Sequence, residues 1–226
     1  MNANASLTRL EKRLNYQFKD IALLKRALTH RSKSKNNNER LEFLGDALLE
    51  TILSDILFHQ RPNASEGDLT RLRATMVRGA TLAILADDLG LKDFMRVGSG
   101  ELRTGGYQRQ STLADAFEAV IAAIYLDCHH FDTTFKVVSA LYQQLLAELP
   151  DAQQLKDPKT RLQEYLQSEG LEKPVYRELS ITGPDHDKQF QVCCSVGAKE
   201  SLAQGSSKKK AEQAAAEAML VQLNLI

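Results

Sequence analysis

The apolar spacing of this chain changes period once, near residue 150, and the change divides it into two kinds of structure. From Leu7 to about Glu148 apolar residues recur at helical intervals, in segments near 6–14, 20–29, 39–59, 66–88, 112–127 and 131–148. The spacing predicts an all-α domain over residues 1–150. Two prolines and a polar stretch then break the pattern, as a linker over 151–156 would. Asp157 and Pro158 supply an N-cap and a first-turn proline for a helix whose apolar face is Leu162, Tyr165 and Leu166. Strands are predicted at 174–182, 188–196 and 199–204, with Phe190, Val192, Cys194 and Val196 on one buried face. From Ser207 onward Ala211, Ala214, Ala215, Ala218 and Met219 form a small-residue stripe that lets a helix lie close on a sheet. Residues 157–226 are therefore expected to be α+β, in the order α-β-β-β-α.

At 226 residues, 43% apolar and 26% charged, the chain can bury the cores these patterns require. Lys plus Arg number 29 and Asp plus Glu number 29, so no overall field draws in a polyanion or a membrane, and any such attraction has to be local. Cys128, Cys193 and Cys194 form no even disulfide framework, which favours a reducing, cytoplasmic setting. The N-terminal stretch lacks the apolar run of roughly 7–15 residues that a cleavable signal needs, and no run of about 18 apolar residues occurs, so no membrane partner is expected.

Glu39, Glu42, Asp46 and Glu50 stand at offsets 0, 3, 7 and 11. On a helix these offsets fall within about 80° of one another. Four carboxylates share a face, and no Lys or Arg follows Glu39, Glu42 or Asp46 at i+4 to relieve them. A solvated acidic face is one reading; a site waiting for a cation is the other, and the apolar residues Leu41, Leu44, Leu48 and Ile52 pin the row against a core. A second helix carries Asp115 and Glu118 in an alanine-rich apolar run. Thr112 and Asp115 fit a capping box, which leaves Glu118 unexplained. Ala116, Ala119, Ala122 and Ala123 permit close packing, so the two acidic faces could meet. Hard oxygen donors without nearby His or Cys suit Mg²⁺, with Mn²⁺ as substitute, and such a centre suits phosphoester hydrolysis.

Elsewhere the signals are weaker. The Gly98-Ser99-Gly100-Glu101 and Gly105-Gly106 stretch reads as a positioning loop, and the absence of a G-x-x-x-x-G-K-[ST] string argues against a nucleotide cofactor. His129-His130 has no zinc-spaced partner and reads as a helix end. Arg71, Arg73 and Arg78 either flank phosphate or form a solvated face. Ser207 followed by Lys208, Lys209 and Lys210 places three lysines in the first turn of a helix, where the macrodipole disfavours cations unless an external anion reverses the effect. A solubilising lysine run is the alternative.

The string Asn38-Glu39-Arg40-Leu41-Glu42-Phe43-Leu44-Gly45-Asp46 closely resembles the signature of the ribonuclease III family. Leu28-Thr29-His30-Arg31-Ser32, Glu66-Gly67-Asp68-Leu69-Thr70 and the stretch from Leu113 to Ala119 match the family's other blocks in order. The resemblance implies that Glu42, Asp46, Asp115 and Glu118 hold divalent metal, with Glu118 the ligand whose loss most damages the chemistry. It implies that Glu39 and Glu66 line the cleavage site, that His30 orders the fold nearby, and that Glu50 is a surface residue. It also implies a homodimer, with Phe43 as an apolar knob in the partner's surface. The segment after the linker is similar to a double-stranded RNA-binding domain, which reads A-form shape across successive minor grooves. By that likeness Thr160, Gln163, Glu164 and His186 face minor-groove hydroxyls, while Ser207, Lys208, Lys209 and Lys210 meet phosphates. Asp185, Asp187, Glu169 and Glu172 dilute the basic excess, which implies modest, salt-sensitive affinity. The implied activity is endonucleolytic cleavage of double-stranded RNA to 5′-phosphate and 3′-hydroxyl ends with short 3′ overhangs, in processing ribosomal precursors and other structured RNAs, messenger and transfer RNAs included. The rivals are a noncatalytic duplex-RNA binder and an all-α metal-dependent nucleotide pyrophosphatase.

Overall fold

Residues 3–150, 156–184 and 187–225 are described in a computed structural model, and the chain divides into two units, 1–150 and 151–226. The first unit is helical: α1 (Ala3–Leu14), α2 (Ile21–Ala27), α3 (Glu39–Gln60), α4 (Glu66–Val77), α5 (Gly79–Asp88), α6 (Ser99–Thr104), α7 (Gln110–Cys128), α8 (Phe131–Leu141) and α9 (Gln143–Ala147). Helix α7 is apolar almost all round, and such a helix has to be buried on every side. Accordingly Ala116, Phe117 and the run from Ala119 to Ile124 are out of water, packed by α2, α3, α5 and α8. The tightest approach is made by Gly45 on α3. A Cβ there would run into the Glu118 carbonyl group, closer than the 3.0 Å below which something must move. Glycine at this position therefore lets the α3 backbone rest directly on that of α7.

The carboxyl end of α7 is fastened to the α1–α2 turn through buried Asp127, which accepts from the Tyr16 hydroxyl at 2.7 Å and from the Lys19 and Asp20 amides at 2.9 and 2.7 Å. Burial raises the Asp127 pKa, but the Tyr16 hydroxyl and the two amides outweigh it and hold the carboxyl below its usual range.

Within the first unit the structure differs from the sequence expectation in four places. The run 66–88 is two helices, broken at Arg78, which adopts an extended φ of −62° and ψ of 143°. Thr81 donates to the Thr75 carbonyl at 2.8 Å, capping the end of α4, and Gly79, a weak helix former, follows the break. The run 131–148 likewise parts at Tyr142 into α8 and α9. The loop expected around Ser99 is the short helix α6. The Thr112–Asp115 capping box does not form. Helix α7 begins two residues earlier, at Gln110, and Thr112 donates instead to the Gly106 carbonyl at 3.3 Å. A capping box does close α4, between Ser65 and Asp68.

The second unit runs α10 (Pro158–Ser168), β1 (Val175–Thr182), β2 (Gln189–Val196), β3 (Lys199–Gly205) and α11 (Lys208–Gln222). The strands form one antiparallel sheet in the order β1-β2-β3, with a bulge between Glu178 and Ser180. Leu162 and Leu166 of α10, Val192 and Cys194 of β2, and Ala211, Ala215, Ala216, Met219 and Leu220 of α11 make its core. The inward stripe of α11 is rotated from the expected one: Ala216 and Leu220 are buried, and Ala214 and Ala218 only partly. Asp157 caps α10 as expected, accepting from the Lys159 and Thr160 amides. The last expected linker residue, Lys156, is buried and pairs with Glu164 at 2.5 Å; 151–155 lie outside the described residues. All three cysteines are free, and no helix among the described residues is long and apolar enough to cross a membrane.

Candidate active site

The start of α3 is fixed by buried Asn38, whose amide donates to the Thr29 carbonyl at 2.9 Å and whose own carbonyl accepts from the Leu41 and Glu42 amides. This anchors Glu42 one turn into the helix, before the Gly45 contact with α7. On α7, Asp115 and Glu118 are one turn apart on the side facing α3. Ligand oxygens of Glu42, Asp115 and Glu118 all lie within 4.8 Å of one another, each residue half-buried. Asp46, one turn beyond Glu42, is exposed and lies outside this trio, but its charge is felt by both Glu118 and Glu42.

The trio is electrostatically uncomfortable. Burial, then the carboxylates of Asp46, Glu42 and Asp115, push the Glu118 carboxyl up to about 8. Glu42 is raised by burial, then by Asp115 and Glu39, against the opposing charge of Arg31. Asp115 is raised by burial, with His30 and then Arg31 opposing. Three acids disfavoured as anions and held together by helix packing have the donor set for a hard divalent cation.

A cavity of about 400 Å³ opens beside Glu42 and Asp115. Glu39 and Glu101 add further carboxylates to its lining, and His30, Arg31, Arg109, Ser111 and Thr112 add donors. Glu39 sits on the rim, bonded to the Asn37 side-chain amide at 3.0 Å and 3.6 Å from Arg31. Glu66 stands apart from this cavity within the chain, in the first turn of α4, where it accepts from Thr70. The sequence gives Arg31, Glu101 and Arg109 no site role: Arg31 and Arg109 lie on connecting segments and Glu101 on the short helix α6, where no periodicity marks them and only tertiary folding gathers them. Arg71, Arg73 and Arg78 are engaged by Asp68, Ser54 and Thr81.

Phe43, next to Glu42 but on the outward side of α3, is 81% exposed. In the second unit Lys208, Lys209 and Lys210 are exposed at the start of α11, which Ser207 caps by accepting from the Lys210 amide. Lys208 lies 3.7 Å from Glu178. Thr160 donates to Asp157 at 2.7 Å, Gln163 is exposed, and Glu164 is held by Lys156. His186 lies outside the described residues.

Comparison with known proteins follows the same division. Residues 20–148 match the family Ribonuclease-III-like, and residues 158–223 match the double-stranded RNA binding motif. The chain is 50% identical over 224 residues to Ribonuclease 3 of Haemophilus influenzae strain KW20, covering 97% of this chain and 98% of that one. It is 48% identical over 223 residues to Ribonuclease 3 of Aliivibrio fischeri, covering 98% of this chain and all of that one (100%). A crystal structure of the nuclease domain of Campylobacter jejuni ribonuclease III, 43% identical, superposes with a TM-score of 0.58 over 61% of this chain and 93% of that one. With both units matched in order and half the residues shared along nearly the whole length, the chain belongs to the bacterial ribonuclease III family.

Proposed function

We propose that the Glu42, Asp115 and Glu118 pocket, joined by Asp46 from its rim, is the centre at which this chain cuts RNA. The chain is an endoribonuclease acting on double-stranded RNA, and neither a noncatalytic binder nor a nucleotide pyrophosphatase is favoured by its relatives. The observation that carries the assignment to this pocket is the 4.8 Å gathering of three half-buried carboxylates from two helices. The family is metal-dependent, and the donor set here fits Mg²⁺, with Mn²⁺ as substitute. Glu42, Asp46, Asp115 and Glu118 would hold the ion, which when bound supplies an activated water and neutralises phosphate charge. These carboxylates, released from mutual repulsion, orient the reacting centre; no side chain need act as nucleophile. The ends left are 5′-phosphate and 3′-hydroxyl with short 3′ overhangs. Glu39 and Glu66 line the path of the RNA. The test is incubation of duplex RNA, single-stranded RNA and nucleoside triphosphates with the chain, in Mg²⁺ or EDTA. Only the duplex should be cut, and only with the ion; cleavage surviving EDTA overturns the reading.

Capture of the duplex belongs to residues 157–226, with 1–150 as the catalytic part and 151–156 as the linker. Lys208, Lys209 and Lys210 meet phosphates at the amino end of α11, while Thr160, Gln163, Glu164 and His186 meet the minor groove. Replacing all three lysines by alanine should weaken duplex binding about 10- to 100-fold near physiological salt and flatten the salt dependence by about two to three counterions. An unchanged salt slope would remove the lysines from the interface.

A homodimer is the proposed assembly. The outward face of α3 carries Phe43 and Phe58, both exposed, with Ala47, Thr51 and Ser54 between them, an apolar-ended, small-centred stripe suited to a second copy. Phe43→Glu should shift the sedimenting species toward monomer, and a dimer that persists would exclude this face. The proposed setting is the cytoplasm, and the proposed substrates are ribosomal precursors and other structured RNAs.

A further inference from the structure

In the polar cavity beside the acidic pocket, the ring of His30 is anchored by the fold. Segment 28–32 is stitched to segment 96–98: the His30 amide donates to the Arg96 carbonyl at 3.0 Å, and the Arg96 amide donates to the Leu28 carbonyl at 2.8 Å. Thr29 and Arg96 form an isolated parallel bridge. The Gly98 amide donates to the Ser32 hydroxyl oxygen at 2.9 Å. Gly98 lies so close that a Cβ there would strike the Ser32 carbonyl. Ser32 in turn grips the imidazole of His30, its amide donating to Nδ1 at 3.2 Å and its hydroxyl lying 2.8 Å from the same atom. A ring nitrogen that accepts from a backbone N–H carries no proton, so in the neutral ring the proton resides on Nε2. Nε2 has no hydrogen-bond partner among the described residues, and the ring lines the cavity shared with Glu42 and Asp115.

We propose that His30, through Nε2–H, hydrogen-bonds a non-bridging phosphate oxygen of the RNA strand lying over the acidic pocket. The inference rests on the reading of that pocket as the cleavage centre. The fold uses several backbone bonds to fix one edge of the imidazole and leaves Nε2 without a partner among the described residues, on a ring that lines a cavity where carboxylates and cationic donors stand side by side. An anion suited to such a lining is a phosphodiester: Glu42, Asp115 and Glu118 would hold the cation that neutralises its charge, and His30 would donate to one of its oxygens. Arg31 and Arg109 supply charge around it from exposed side chains, Arg31 beside Glu39; His30 combines an anchored ring with a donor that no other described residue takes up.

Two substitutions separate this role from a structural one. Asparagine places Oδ1 near the position of Nδ1 and keeps the Ser32 grip, while its N–H groups fall short of the position of Nε2. Glutamine places an amide N–H near the position of Nε2 and gives up that grip. Single-turnover cleavage of duplex RNA in Mg²⁺ is measured for the full chain and for H30A, H30N and H30Q, together with duplex affinity in EDTA and thermal unfolding. H30A and H30N should cut about 10- to 100-fold more slowly with unchanged EDTA affinity, and H30Q should recover much of the loss despite a lower unfolding temperature. H30N cutting like wild type, or H30Q cutting no better than H30A, overturns the proposal. If wild type itself leaves the duplex whole, the reading of the pocket fails; if wild type cuts and H30N cuts equally well, only the role of His30 fails.

Discussion

Glu118→Gln should bind duplex RNA as tightly as wild type and cut it at least about 10³-fold more slowly in Mg²⁺. Glutamine keeps the volume and removes the anion from the residue most deeply placed among the carboxylates, so the loss falls on ion retention and transition-state charge rather than on the RNA grip of the second unit. The same substitution has a second consequence of opposite sign. Without metal, the Glu118 carboxyl is raised from 4.5 to about 8 by burial and by Asp46, Glu42 and Asp115. Between those values the folded chain holds a proton that the unfolded chain releases, so stability falls as pH rises through this window. Glutamine does not titrate. In EDTA the variant should therefore match wild type near pH 4.5 and become the more stable protein as pH approaches 8. The carboxyl is partly open to solvent, which screens the effect to on the order of 1–2 kcal/mol, or a few degrees in unfolding temperature. Mg²⁺ should narrow or reverse the difference by stabilising wild type through its ligands. Cleavage retained near the wild-type rate would remove Glu118 from the centre; a stability difference that does not grow with pH would remove the repulsion.

Which carboxylates meet was only half legible in the sequence. Angular arithmetic puts Glu39, Glu42, Asp46 and Glu50 on one face of α3, but a helical wheel does not say which neighbour covers which turn. Glu42 and Asp46 bracket the glycine that rests on α7, so they approach Asp115 and Glu118; Glu39 lies at the rim with Arg31, and Glu50, a turn past the crossing, is exposed. The alanines of α7 were readable as a close-packing surface because their periodicity is local. The donors beside them were not readable from periodicity: Arg31 and Arg109 come from connecting segments, His30 is placed near the site by the family resemblance alone, and the bonds that hold segment 28–32 in place, such as Arg96 to Leu28 and Gly98 to Ser32, span more than sixty residues. The break at Arg78 escaped for a related reason. Apolar spacing continues through 66–88, and the stop is made by a threonine hydroxyl taking a carbonyl rather than by a proline. In the second unit, alternation fixes the sheet face because pleating has a period of two, whereas the stripe on α11 is ambiguous because alanines occupy both buried positions (211, 215, 216) and partly exposed ones (214, 218).

Gly45→Ala tests the contact on which the pocket depends. Alanine is favoured over glycine inside a helix by about 1 kcal/mol, so a site with room would be stabilised. Here the new methyl would meet the carbonyl carbon and oxygen of Glu118, and neither a backbone carbonyl on α7 nor the helix of Gly45 can swing aside as a side chain can. Overpacking of this kind costs about 1–3 kcal/mol, and rigid backbone on both sides puts it at the upper end. The net expectation is a loss of about 2 kcal/mol, seen as a lower denaturant midpoint with unchanged slope. The functional loss should be larger than the stability loss. Separating α3 from α7 moves Glu42 and Asp46 away from Asp115 and Glu118, and displacement of the order of 1 Å at such a centre lowers rate by about 10²-fold in protein that is still folded. Raising the Mg²⁺ concentration should recover part of the rate, since the weakened site then fills. Gly79→Ala is the control: the Cβ meets nothing within 4 Å, so stability and cleavage should match wild type or rise slightly. If Gly45→Ala behaves like Gly79→Ala, the two helices are not in backbone contact at this crossing, and the closeness of Glu42, Asp115 and Glu118 needs another cause.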